Sequence, residues 1–258
     1  MSGNNNQDRQ FGILAKYYDA LNYNANYKKV ADYIESVFDV YQVKPQLVLD
    51  LACGTGKLTV ELDKRGFDMT GIDLSADMLS VAASKKKRGN ILWLNQDMRE
   101  FELYGTVDAV ICCFDSLNYI LKEKEIKKCF GLVYNYLNPG GLFIFDVNSK
   151  YKFETVYAKN NFVLENEKKQ VFCSWQNNYN KKNKTCDFYI TLFAGQPDNK
   201  DKYKRFYETQ REKYYSEQFL KECLTEMGFD DLKIFYDFSV DLKKAENNQR
   251  ICFTALKN

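Results

Sequence analysis

No histidine occurs among the 258 residues. That absence excludes Ser-His and Cys-His nucleophilic sites and any imidazole base, so a general base would have to be Asp, Glu, Tyr, Lys or a water. It also leaves the eight cysteines without a partner for zinc, and no Cys-x-x-Cys pair is present. Cys53, Cys112, Cys113 and Cys252 stand in apolar, strand-like contexts, where a buried thiol is an ordinary small hydrophobe. A reduced, cytoplasmic protein without a metal is the expectation. No apolar run reaches the length of a membrane helix, and Met1 to Gln10 is polar, with no apolar leader. Charge of one sign is not in excess either: 37 basic residues face 35 acidic ones, a net of +2, so no global field calls for nucleic acid. Two basic clusters, Lys85-Lys86-Lys87-Arg88 and Lys181-Lys182-Asn183-Lys184, read as a solvated helix end and a hairpin tip.

What is present is concentrated in one stretch. Leu47-Val48-Leu49-Asp50-Leu51 is a short apolar run, and Ala52-Cys53-Gly54-Thr55-Gly56 breaks it into a glycine loop before an amphipathic helix from Leu58. A buried parallel strand presents a small charged ligand at its C-terminal end in this way, with glycines letting backbone N–H groups approach. A second acid-tipped strand, Gly71-Ile72-Asp73, follows, its acid nineteen positions beyond Gly54 and placed to accept from a ribose diol. A phosphate P-loop is excluded, because Gly56-Lys57 is followed by Leu58 and Leu51 stands where the first glycine belongs. A dinucleotide loop fails because Thr59 occupies the third glycine position and Asp50 would oppose a pyrophosphate. A cationic nucleoside such as S-adenosylmethionine tolerates Asp50 far better.

Taken together, Asp50 to Gly56 and Gly71 to Leu79 resemble the class I S-adenosylmethionine-dependent methyltransferases. Gln96-Asp97-Met98 resembles that family's adenine-binding turn, and Asn138-Pro139-Gly140-Gly141 before Leu142 to Asp146 resembles its helix-to-strand junction. The match spans roughly residues 45 to 150, nearest in flavour to glycine-type and amino-sugar N-methyltransferases. The resemblance implies an α/β, Rossmann-like seven-stranded methyltransferase sheet and S-adenosyl-L-methionine as cofactor.

Strand and helix patterns agree with that expectation. Residues 11–40 read as helical, followed by strands near 47–51, 69–73, 91–95, 108–112 and 142–146 with helices between them. Residues 151–214 break the rhythm with aromatic, strand-like runs, read as an antiparallel β insertion of three or four strands. The expected organisation is an N-terminal helical cap (1–40), a cofactor-binding core (41–150), the insertion (151–214), and a helix and strands completing the core (215–258). The insertion is expected to serve as a lid or as the interface of a homodimer.

The resemblance also distributes roles. Asp73 would accept from the ribose. Asp50 would orient the loop, with Ala52, Cys53, Gly54 and Gly56 around the methionyl group. Leu74 and Met78 would sandwich the adenine, Asp97 would accept from its amino group, and the Met98 N–H would donate to the ring. Cys113 would contact the sulfonium side through its backbone, and Tyr18 would reach the cofactor from the N-terminal segment or pack in the core. Asp115 and Asn118 are candidates to hold or deprotonate the acceptor, Asp115 as the catalytic residue. The Asn/Asp-Pro-Pro-aromatic signature of nucleic acid base methylation is missing at Cys113 to Tyr119. The expected reaction is direct in-line transfer of a methyl group to a small-molecule N, O or C nucleophile. A sensor that binds the cofactor without catalysis and an RNA-modifying enzyme are the alternatives.

Overall fold

The computed structural model describes residues 11–22, 25–85, 89–196, 199–241 and 243–258. Two helices open the described chain, α1 (Ala15–Leu21) and α2 (Tyr27–Tyr41). The helical pattern read over 11–40 is therefore interrupted, and Asn26 restarts it by accepting the Lys29 N–H on its side chain at 3.0 Å. The alternation β1 (Leu47–Leu51), α3 (Lys57–Arg65), β2 (Asp68–Asp73), α4 (Ala76–Ala83), β3 (Leu92–Asn95), β4 (Val107–Cys112), α5 (Glu123–Tyr136) and β5 (Leu137–Asn148) follows. After the insertion come α6 (Glu217–Glu226), β10 (Phe229–Tyr236) and β11 (Arg250–Lys257).

These strands form one seven-stranded sheet in the order β3-β2-β1-β4-β5-β11-β10, parallel from β3 to β5 and antiparallel across β11. The order reverses between β1 and β4, which opens a crevice beyond their C-terminal ends. Apolar residues on both sheet faces explain its burial. One core packs α5 and α6 residues such as Phe130 and Leu224 against Phe143, Phe145 and Phe253. The other packs α2 residues Ile34, Val37 and Phe38 against Val48, Ile111 and Ile144.

The insertion is a separate antiparallel sheet in the order β6 (Asn161–Asn166), β7 (Val171–Asn180), β8 (Thr185–Gln196) and β9 (Asn199–Lys213). A π-helical turn, Lys152–Tyr157, leads into it. Period-two burial along β8 turns Cys186, Phe188, Ile190, Leu192 and Ala194 inward. With Leu14, Leu21, Phe153 and Tyr157, the first four of these residues form a third core, and α1 packs on the insertion as well as on α4. Lys181 to Lys184 make the exposed hairpin turn. Lys86, Lys87 and Arg88 lie outside the described residues, but Lys85 is not simply solvated: its Nζ donates to the Thr55 carbonyl and pairs with Asp19 at 2.9 Å. Among the described residues no helix is long and apolar enough to cross a membrane.

Candidate active site

A cavity of about 1180 Å³ lies between the C-terminal edge of the large sheet and the inner face of the insertion. Its floor is made by the turns after β1 and β2. Those strands run side by side, with Asp50 opposite Gly71 and Leu51 opposite Ile72. Their adjacency brings the Gly54 N–H to Asp73 Oδ2 at 2.7 Å, while Asp73 Oδ1 accepts the Ser75 N–H at 2.8 Å. Ser75 also caps α4 by accepting the Met78 N–H at 3.2 Å. Burial pushes the Asp73 carboxyl up, and these two amides pull it back only in part.

Asp50 is buried beneath the loop and accepts from Thr59 Oγ1 at 2.5 Å. Burial, outweighing the Thr59 bond and aided by Asp73, pushes it up to about 7. Ala52 holds a left-handed φ of 61°, a conformation that costs an L-residue energy and recurs at ligand-binding turns. Gly54 (φ 55°) would carry a Cβ into open space, with nothing within 4 Å, whereas a Cβ on Gly56 (φ 69°) would lie 2.5 Å from the Trp93 ring. The two loop glycines thus differ. Gly54 is on the cavity wall, and Gly56 is off it, packed on Trp93.

Tyr18, Asp50, Ala52, Cys53, Gly54, Asp73, Leu74, Met78, Asp97, Met98, Cys113 and Asp115 all line this one cavity. Leu74 stands 65% exposed at its rim, an apolar face with no protein cover. Asp97 is already engaged: Arg99 Nε donates to both its oxygens at 2.9 and 3.0 Å, and the Arg99 N–H donates at 2.8 Å. Any adenine amino contact would be shared with that ion pair. Burial holds the Cys53 and Cys113 thiols well above their ordinary range, so neither is a ready thiolate.

Asn118 is a correction to the sequence reading. It is fully buried and off the cavity wall, its Nδ2 donating to the Lys213 carbonyl at 2.8 Å and its Oδ1 accepting the Asn148 N–H at 2.9 Å. It ties the loop after β4 to β5 and β9 instead of facing an acceptor.

Sequence reasoning missed three groups. Asp146, at the tip of β5, accepts the Phe114 N–H at 2.6 Å and the Asp115 N–H at 3.0 Å, filling the nest formed by two consecutive left-handed residues. Arg250 clamps Asp146 and pairs with Asp115 at 2.6 Å. Glu212 brings a buried carboxyl from the insertion into the cavity. The third acid-tipped strand was a signal for Asp146. The phase of Gln210 and Glu212, on the apolar side of β9, was a signal for the last.

Asp19 is a further residue that the sequence reading did not single out. It accepts from Thr55 Oγ1 at 2.6 Å and pairs with Lys85 at 2.9 Å and Lys57 at 3.7 Å, fastening α1 to the glycine loop.

With this geometry in place, comparisons with known proteins become informative. A family model described as a methyltransferase domain matches residues 48–141. The chain is 33% identical over 247 residues to the methyltransferase candidate YqeM of Bacillus subtilis (strain 168), covering 95% of this chain and 96% of that one. Over 144 residues it is 33% identical to a glycine/sarcosine N-methyltransferase of Halorhodospira halochloris, covering 52% of this chain and 51% of that protein. Among solved structures, a S-adenosylmethionine-dependent methyltransferase from Clostridium acetobutylicum ATCC 824 superposes with a TM-score of 0.81 at 30% identity, covering 95% of this chain and 97% of the other.

Proposed function

Because the chain belongs to the class I S-adenosylmethionine-dependent methyltransferases, we propose that its cavity transfers a methyl group directly to a small-molecule nucleophile. One observation carries this reading: the Gly54 amide and the Asp73 carboxylate, from neighbouring parallel strands, meet at 2.7 Å on the floor of a single cavity. The residues present fit the cofactor. The open space over Gly54 admits a close backbone contact, Asp73 offers carboxylate lone pairs to a ribose diol, and Leu74 and Met78 offer apolar surface to a purine. The Met98 turn reads the purine edge, with Asp97 shaping it through Arg99. Asp50 and the Ala52 carbonyl favour the cationic end, with the Cys53 and Cys113 backbones beside it and Tyr18 closing from above.

S-adenosylmethionine, when bound, supplies a sulfonium-activated methyl group. The protein then has to orient the acceptor and exclude water, work that positioning alone can perform. The cavity is larger than the roughly 300–1,000 Å³ of single-ligand sites, which leaves room for an acceptor beneath the insertion. The inward face of the insertion acts as its cover. Its outer face, where Val163, Tyr203 and Tyr207 are exposed, is where two copies would pair, and sedimentation of a Tyr207→Lys variant tests that. A cytoplasmic setting suits eight free thiols.

Calorimetry with S-adenosylhomocysteine tests the reading. Wild-type protein binds it, and Asp73→Ala loses about 100-fold in affinity, as two charge-assisted hydrogen bonds of roughly 1.5 kcal/mol each require. Equal affinity in the variant would remove the ribose assignment, and no binding by the wild type would remove the function. The acceptor is sought as a metabolite gaining one CH2 in an extract supplied with the cofactor.

A further inference from the structure

The acceptor end of the cavity is closed by a residue that the insertion supplies. Glu212 is 1% exposed on β9 and lines the cavity. Its Oε2 accepts from Asn148 Nδ2 at 2.8 Å, and the same nitrogen donates to Asp115 Oδ2 at 3.0 Å. The two carboxyls so bridged are not equivalent. Burial raises Asp115, but the Arg250 guanidinium at 2.6 Å, with Lys152 behind it, outweighs burial and holds Asp115 below the ordinary range. Glu212 forms no salt bridge among the described residues, and burial followed by Asp115 lifts it well above that range. Facing it are Asp115 from the loop after β4, Lys152 and Tyr157 from the π-helical turn, Tyr119 from the turn after β4, and Cys186 from β8. Lys152 offsets Glu212 only partly, its own Nζ donating to Asn148 Oδ1 at 2.8 Å.

We infer that Glu212 holds a protonatable amine of the methyl acceptor and takes its proton, so that the insertion supplies a catalytic group as well as a cover. The inference rests on reading this cavity as a methyl-transfer site, and it names the acceptor class. A buried carboxylate without a salt-bridge partner is stabilised by an arriving ammonium. The aromatic wall of Tyr18, Tyr119, Tyr157 and Trp175 offers ring faces to the same cation. Trp175 Nε1 is buried with no partner, a spare donor for an acceptor oxygen. An alcohol is far too weak an acid for a carboxylate to deprotonate, whereas an ammonium is a much stronger acid and can hand its proton to a carboxyl whose proton affinity burial has raised. In the step, the acceptor's ammonium gives one N–H proton to Glu212, which becomes a neutral carboxyl. The freed lone pair forms the N–CH3 bond as the S–CH3 bond breaks and its electron pair stays on sulfur. The product amine carries the positive charge that the sulfonium had.

The test uses the full chain, with and without S-adenosylhomocysteine, and two probes of equal shape, n-butylammonium and 1-butanol, titrated by ligand-observed NMR. At pH 8 the ammonium is expected to bind about ten-fold tighter or more. That preference should weaken as the pH is lowered and Glu212 takes up a proton, and vanish in Glu212→Gln, which keeps the Asn148 hydrogen bond. Equal binding of the two probes to the wild type, or a preference that survives Glu212→Gln, overturns the inference. Should that variant fail to fold, carboxyl-labelled wild type replaces it: n-butylammonium must lower the Glu212 titration midpoint and 1-butanol must not, and an unmoved midpoint overturns the inference equally. Calorimetry run in parallel keeps the two readings apart. Loss of S-adenosylhomocysteine binding in the wild type refutes methyl transfer, while the amine preference stands or falls on its own titration.

Discussion

The two ends of the cavity are built by different means. At the loop end, the turns after β1 and β2 line the cavity from two short runs, within 50–55 and 73–78. At the insertion end, Asp115, Asn148 with Lys152, Glu212 and Arg250 come from four separate places in the chain and meet through side chains. The loop end is fixed by adjacency of two strands, so it survives wherever those strands pair. The insertion end exists only when β5, β9 and β11 have all docked. The first should therefore tolerate single changes that the second does not.

Asp146→Ala is the hardest test of that contrast. Asp146 is fully buried, accepts two backbone amides and half-neutralises Arg250. Its removal strands buried donors and leaves the guanidinium with Asp115 alone, and urea denaturation should show a loss of about 3–5 kcal/mol. A loss under about 1 kcal/mol, in the range of an exposed pair, would mean that the insertion end is no more fragile than the loop end.

The same contrast explains what could be read in advance. The fold and the loop end were legible because acid-tipped strands, glycines and caps such as Ser75 are local signals. The antiparallel insertion follows from its strand-like runs, whereas the seven-stranded sheet is what the family resemblance implied. Asp115 was legible from its place after β4, but its partner Arg250 is 135 positions away. Asn118 looked like an acceptor contact for the same reason, and only the arrival of β9 at Lys213 shows that it is structural. Lys85 looked solvated because its partner Asp19 lies on a distant helix. Long-range side-chain pairing leaves little trace in a single sequence, and those residues escaped for that reason.

Asp50 offers a pH-dependent version of the comparison, since the loop end has no Arg250 of its own. A carboxyl lifted from 3.8 to about 7 binds protons in the folded state that the unfolded chain has already released. Stability should thus fall as pH rises from about 4 to 7, by at most about 4 kcal/mol, and level off above. Asp50→Asn should lessen the decline by that share, the part due to Asp73 and Glu212 remaining, and be the more stable protein at pH 8, while binding S-adenosylmethionine less well. Thermal melts at pH 4.5 and 8 with calorimetry check both; a wild type whose stability does not fall over that interval would show Asp50 ionised in the fold at little cost.

Within the loop end itself, Gly54 and Gly56 divide ligand from packing. Gly56→Ala drives a methyl into Trp93 at 2.5 Å and Ala82 at 2.9 Å, in a left-handed conformation, and should cost about 2–3 kcal/mol of stability. Gly54→Ala meets no neighbour and should cost about 1 kcal/mol, yet weaken S-adenosylhomocysteine more. The order of the two variants should reverse between melting temperature and affinity. The same order in both would mean that the loop acts as one packed unit.

The smallest expected effect concerns the strap between the two ends. Through Asp19, α1 is tied to the loop end by Thr55, Lys57 and Lys85, while Leu14 and Leu21 sit in the core of the insertion. These pairs are partly exposed, so Asp19→Ala should lower stability by only about 0.5–1 kcal/mol. Kinetics are the sharper readout, because Tyr18 and Leu21 on that helix line the cavity. If α1 must lift for the cofactor product to leave, S-adenosylhomocysteine should dissociate about three- to five-fold faster from Asp19→Ala in stopped-flow displacement, with association little changed. Lys57→Ala and Lys85→Ala, each removing one of the three ties, should fall in between. An unchanged dissociation rate in all three would place the exit elsewhere, and the two ends of the cavity would then open independently.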